Sequence, residues 1–176
     1  MKRIIPARDV MIGNVLTVGP NTTVARAAKL MTERGVGSII IARGQKPIGI
    51  LTERDLLTKV VSTNSMPSKI RVGAIMSAPI ITIDPDVSIT EAARIMAQNK
   101  IRRLPVVERG KLIGILTASD ITAISPQLAE VVAHTELPAR GAIEESVCEI
   151  CGEITSALHE VNGMWVCESC RDTMGG

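Results

Sequence analysis

The sequence predicts a mixed α/β (α+β) fold: two copies of a β-α-β-β-α unit, followed by a small C-terminal domain organised around four cysteines. Three observations predict it. Shifted by 65 residues, the 176-residue chain matches itself without a gap, residues 10–56 on 75–121, with 13 of those 47 positions identical. Within each copy the apolar residues change from helical to strand spacing in the same order. Beyond the second copy, Cys148, Cys151, Cys167 and Cys170 fall in the pattern C-x2-C-x15-C-x2-C. A period longer than 50 residues points to a doubled subdomain and not to a solenoid.

Each element follows from local signals. A short extended segment opens each copy, Leu16–Val18 or Ile81–Ile83, and Pro20 or Pro85 then breaks the chain. Asn21, Thr22 and Thr23 can cap the first helix, and Ser88-Ile89-Thr90-Glu91 has the capping-box pattern for its counterpart. Val24, Ala27, Ala28 and Met31, matched by Ile89, Ala92, Ala93 and Met96, recur at i, i+3, i+4 and i+7, one buried helical face. Two strands follow, Ser38–Ala42 and Pro47–Leu51, or Leu104–Val107 and Leu112–Leu116, joined around Gly44 and around Arg109-Gly110. A second helix begins near Glu53 or Ala118, with apolar faces Leu56, Leu57, Val60, Val61 and Ile121, Ile124, Leu128.

Composition excludes several function classes. The chain has no Phe, no Tyr and one Trp, so its core is aliphatic and any ligand base is gripped by aliphatic side chains and backbone. That disfavours single-stranded nucleic-acid readers, which stack bases on aromatic rings. With two histidines, most nucleophile-plus-histidine chemistries lack parts, and we expect no enzyme. No apolar run approaches the roughly 20 residues of a membrane span. The basic start lacks the apolar stretch of a signal peptide, so the expected location is cytoplasmic, where paired thiols are metal ligands more often than disulfides. Net charge is +2 but uneven: residues 1–140 carry 19 basic and 11 acidic side chains, residues 141–176 seven acidic ones against Arg171 alone. A basic body suits an anionic ligand.

Both copies close on the same junction, Gly49-Ile50-Leu51-Thr52-Glu53-Arg54-Asp55 and Gly114-Ile115-Leu116-Thr117-Ala118-Ser119-Asp120. A strand ends there at a helix start, with a hydroxyl and a carboxylate three residues apart. Free backbone N–H groups at the helix end favour a phosphate, Thr52 or Thr117 adds a hydroxyl, and Asp55 or Asp120 can accept from two ribose hydroxyls. The same residues equally suit a plain helix cap. Over residues 7–130 this doubled β-α-β-β-α unit resembles a pair of CBS domains, a Bateman module. The resemblance implies a pseudo-twofold pair with two clefts, binding of AMP, ADP, ATP or S-adenosyl methionine, and dimerisation into a flat disc. By position, Asp55 and Asp120 would hold ribose, and Thr52 and Thr117 would face phosphate. Thr17, Thr82, Ser38, Ile39, Arg103, Leu104 and Pro105 would line purine pockets; Arg54, Arg102 and Arg103 are phosphate candidates. Because Gly37-Ser38 stands opposite Arg102-Arg103, the clefts are expected to bind unequally.

The cysteine pattern places two pairs of sulfurs on two tight turns, an S4 site for zinc or, alternatively, iron. Gly152 suits the left-handed position after Cys151, whereas Arg171 follows Cys170 and makes that turn less ideal. His159 between the pairs is expected to be a surface residue. The segment resembles a zinc ribbon and, more loosely, a rubredoxin-type site; the whole chain resembles CBS-pair proteins with such a C-terminal domain, known mainly from archaea. The expected organisation is a first CBS domain over 7–66, a second over 72–132, a linker over 133–143 and a metal domain over 144–174. The expected function is regulatory: an adenine nucleotide in the CBS pair, a metal in the tail, a homodimer through the CBS modules and a protein partner for the acidic tail. A redox iron protein gated by the CBS pair is the first alternative. A DNA-binding ribbon is the second, opposed by the charge of the tail, which repels phosphate.

Overall fold

The junctions between proline, cap and helix form as the residues dictate. In the first copy, β1 (Thr17–Val18) leads to α1 (Val24–Arg34), where the Thr23 side chain accepts from the Arg26 N–H. Strands β2 (Ser38–Arg43) and β3 (Lys46–Thr52) form an antiparallel hairpin, with β1 parallel to β2 on its far side. Helix α2 (Glu53–Leu56) continues as one π-helical turn over Leu57–Val61. After the short α3 (Val72–Ile75), the second copy repeats the plan as α4 (Ile89–Asn99), β4 (Arg103–Glu108), β5 (Lys111–Thr117) and α5 (Ala118–Ile124), with α6 (Ala129–Ala133) beyond it. Its expected first strand shrinks to one parallel bridge between Ile83 and Val106. Of the capping box at Ser88, one half forms: Ser88 accepts from the Glu91 N–H, while the Glu91 carboxylate pairs with Arg94.

This computed structural model describes residues 4–133 and 145–174, and falls into two units, Met1–Thr135 and Glu136–Gly176. Apart from Ala133, the last residue of α6, the linker expected over 133–143 lies outside the described residues, as does Gly175-Gly176.

The N-terminal unit has two aliphatic cores, one per copy. Val24, Ala27, Met31, Ile39, Ile41 and Leu51 build the first; Ile89, Ala92, Ala93, Met96, Leu104, Leu116 and Ile121 build the second. Each is completed by the segment that leads into the other copy. Ile5, Ala7, Val10 and Met11 pack on the second core, and Ile70, Val72, Ile75 and Met76 on the first. The exchange is symmetric down to single bonds. Ile12 and Ile115 trade N–H···O bonds of 2.9 Å, and Ser77 and Ile50 do the same at 2.8 and 3.1 Å. A side chain at Gly49 would run into Met76, and one at Gly114 into Met11, so the paired glycines admit the crossing segments. The second helices turn Val60 and Ile121 inward but leave Leu57, Val61 and Ile124 at 61%, 66% and 50% exposure.

The C-terminal unit is two short hairpins and a helix. Strand β6 (Ser146–Val147) pairs with β7 (Ile154–Thr155), and β8 (His159–Val161) with β9 (Met164–Val166); α7 (Glu168–Met174) follows. Positive φ at Asn162 and Gly163 makes the two-residue turn between β8 and β9. Among its described residues, Cys148, Val166 and Cys167 are buried. Among the described residues of the chain, no helix is long and apolar enough to cross a membrane.

Candidate functional site

The two junctions begin alike. Thr52 and Thr117 cap α2 and α5 with reciprocal boxes: each hydroxyl accepts from the N–H of its aspartate, and each threonine N–H donates to the aspartate Oδ2, at 2.9 and 2.8 Å. The hydroxyls also donate to Oδ2, at 2.6 and 2.7 Å.

Beyond the cap the copies diverge. Asp55 Oδ1 accepts from the Lys59 ammonium at 2.6 Å and from the Ser77 hydroxyl at 3.1 Å, and Lys59 also donates to the Ile75 carbonyl at 2.8 Å. Ile124 and Ile12 occupy the corresponding positions in the second copy. Among the described residues, no partner reaches the Asp120 Oδ1. Asp55 is 7% exposed, the one charged residue counted as buried among those described. Burial by itself raises its pKa; the bonds from Lys59 and Thr52 outweigh this and hold it below the usual carboxylate range.

The Asp55 junction opens into a cavity of about 650 Å³. Thr52 and Asp55 form one side. Ser77, Pro79, Ile80 and Ile81, from the segment entering the second copy, form the next. Arg102, Arg103 and Pro105 face them, with Lys100 and Arg54 adding charge and Thr117–Ser119 at the rim. Burial pushes the Arg103 guanidinium below its ordinary pKa; Arg102 adds to that push and Glu53 opposes it. Gly37 makes room for this arrangement, since a Cβ there would meet both the Glu53 carboxylate and the Arg103 guanidinium. Aliphatic walls, a carboxylate and a cluster of cations are the chemistry a nucleotide needs from a site without aromatic rings.

Of the residues expected to bind nucleotide, Thr52, Arg54, Asp55, Arg102, Arg103, Pro105 and Thr117 share this cavity. Thr17 lines another, of about 470 Å³, beside Gly44, Gln45 and Lys111. Ile39 and Leu104 differ from the expectation: their side chains are wholly buried in the two cores, because strand alternation turns them inward. Ser38, Thr82 and Asp120 are on the wall of neither cavity. The sequence reading missed Lys59 and Ser77. Their signal was there: both are polar at positions where the other copy has isoleucine.

In the C-terminal unit the four cysteine sulfurs lie within 4.8 Å of one another, and Cys151 Sγ is 3.8 Å from Cys167 Sγ. All four thiols are free. At a Zn–S length of about 2.3 Å, a regular tetrahedron sets its sulfurs about 3.8 Å apart. The donor set therefore fits one ion. Gly152, at φ +72°, donates to the Cys148 carbonyl at 3.0 Å and closes the first turn. The second needs no left-handed residue, contrary to the expectation at Arg171. Cys170 and Arg171 lie in α7, where the Arg171 N–H reaches the Cys167 carbonyl at 2.9 Å. Backbone N–H groups of Cys151 and Cys167 lower the Cys148 thiol to about 6, while burial and the other thiols push Cys170 up to about 12. His159 is half-buried, its Nε2 3.4 Å from Arg171, outside the cysteine group.

Comparison with known proteins agrees with this architecture. An uncharacterized protein of Methanopyrus kandleri is 37% identical over 99% of this chain and 94% of its own. A hexameric CBS-CP12 protein from bloom-forming cyanobacteria is 36% identical, covering 67% of this chain and 66% of that one, with a TM-score of 0.63. A CBS-domain protein of unknown function from Thermoplasma acidophilum superposes over 93% of this chain and 92% of its own at a TM-score of 0.70; at 21% identity it speaks for the fold alone. The family model of the CBS domain matches twice, at residues 7–62 and 72–126, and together with the doubled fold and its exchanged segments this shows that the chain belongs to the CBS-domain family, as a tandem pair followed by a four-cysteine unit.

Proposed function

We propose that this chain is a non-catalytic regulatory protein that binds an adenine nucleotide, AMP, ADP or ATP, in the Asp55 cleft, and so reads the energy state of its cell. The observation that carries this reading is the cleft itself: aliphatic Ile80 and Ile81 for the base, the Asp55 carboxylate beside the ribose position, and Arg102 and Arg103 for phosphate around one cavity. Calorimetry with AMP, ADP and ATP tests it. Arg103→Ala is expected to weaken AMP binding about tenfold, the cost of one charge-assisted contact, and to leave adenosine nearly unaffected. No binding of any of the three at millimolar concentration sinks the reading.

The four cysteines are proposed to hold a structural metal, zinc in preference to iron, in a unit of the zinc-ribbon kind. A redox role with iron is the second reading, supported by the same all-thiolate donor set. Zinc thiolate is colourless and ferric S4 is red, so visible absorbance decides between them. The exposed Leu57, Val61 and Ile124 on the second helices support a homodimer through the CBS pair. The acidic C-terminal unit, with Val147, Ile150, Ile154 and Trp165 exposed, suits a basic protein surface better than nucleic acid.

A further inference from the structure

The two ribose candidates differ in what they can still accept. A carboxylate offers about four lone-pair sites. On Asp55 all are taken: the Thr52 N–H and hydroxyl on Oδ2, the Lys59 ammonium and the Ser77 hydroxyl on Oδ1. On Asp120 the two on Oδ2 are used by Thr117, and among the described residues nothing donates to Oδ1. A ribose diol brings two donors and needs two acceptor sites. Asp120 has them. Asp55, on the wall of the cationic cavity of about 650 Å³, has none until something leaves.

We propose that Lys59 is a specificity-determining residue of the Asp55 cleft: its ammonium holds the acceptor positions that a ribose diol would take, so that this cleft selects its ligand by phosphate and base and is indifferent to the sugar hydroxyls. The inference rests on the nucleotide reading above. Its geometry is particular to the first copy. Lys59 sits one helical turn after Asp55, is 40% exposed at its side chain, and is anchored a second time on the Ile75 carbonyl. Ser77 supports it from the segment that enters the second copy, itself fixed on β3 through Ile50. A ribose hydroxyl would have to displace a hydrogen-bonded ion pair to gain a bond in which only the acceptor is charged, which is unfavourable.

The test is calorimetry on the full chain with AMP and 2′-deoxy-AMP. Wild type, Asp120→Asn and Asp120→Asn/Lys59→Met are compared, so that in the last two only the Asp55 cleft presents a carboxylate. Asp120→Asn is expected to bind the two ligands within about twofold. Adding Lys59→Met, which frees one acceptor site on Oδ1 beside the Ser77 hydroxyl and keeps the apolar stem, is expected to tighten AMP about tenfold and 2′-deoxy-AMP little. That new preference for the 2′-hydroxyl is a readout a merely structural role for Lys59 would not move. Ser77→Ala, with a smaller gain, gives the same answer if the methionine variant folds poorly. If freeing Oδ1 leaves AMP affinity unchanged or lowers it, the gating role of Lys59 is overturned while nucleotide binding stands. If wild type binds neither ligand, the nucleotide reading falls and this inference with it.

Discussion

The two units of this chain hold themselves together by different means. The CBS pair buries two aliphatic cores, contains no cysteine and interlocks its halves by exchanged segments. Among the described residues of the C-terminal unit three are buried, two of them cysteines. Its hairpins are two or three residues per strand, too short to be stable alone. About 30 residues bury little surface to offset their conformational entropy, and the ion proposed for the four cysteines would supply in the second unit what apolar burial supplies in the first. On the metal reading proposed above, the difference sets a folding unit that needs no metal beside one that depends on it, and Trp165, the single tryptophan, lies in the latter.

The largest expected effect breaks the second unit and spares the first. Chelation, or Cys167→Ser, removes a contribution on the order of 10–16 kcal/mol. Trp165 emission is then expected to shift and the chain to become protease-sensitive after the CBS pair, while the thermal transition of that pair is unchanged. A global loss of structure would contradict the comparison. The converse comes next. Ile121→Ala or Leu104→Ala empties a fully buried site and is expected to cost about 2–5 kcal/mol in the CBS transition, with no change in Trp165 emission.

Smaller effects sharpen how the CBS pair is built. Gly49→Ala drives a methyl into Met76 and is expected to cost about 1–3 kcal/mol. Adding Met76→Ala should return part of that in a double-mutant cycle, which additive costs would rule out. The smallest effect is set by pH. The Asp55 pKa is depressed in the folded state, so its stabilisation is present above the ordinary carboxylate value of 3.8 and is lost as pH falls through the lowered one. Acid unfolding of the CBS pair is therefore expected to flatten in Asp55→Asn, measured as the slope of stability against pH below about 4. An unchanged slope would show that Asp55 contributes no such linkage.

The sequence by itself determined the doubled unit, because its apolar periodicity is local and occurs twice in register. It determined the caps at Thr52 and Thr117, where hydroxyl and carboxylate are three residues apart, and the cysteine cluster, whose spacing dictates two close turns. Tertiary structure decided which copy's core each leading segment completes. Nothing local in Met11 or Met76 points to a glycine about a hundred or about thirty residues away; the contact exists only once two sheets face each other. It also decided the fate of the two aspartates. Thr52 and Asp55 read the same as Thr117 and Asp120 along the chain; Lys59 reaches Asp55 across one helical turn, a local pairing, whereas tertiary packing alone brings Ser77, 22 residues on, to the same oxygen.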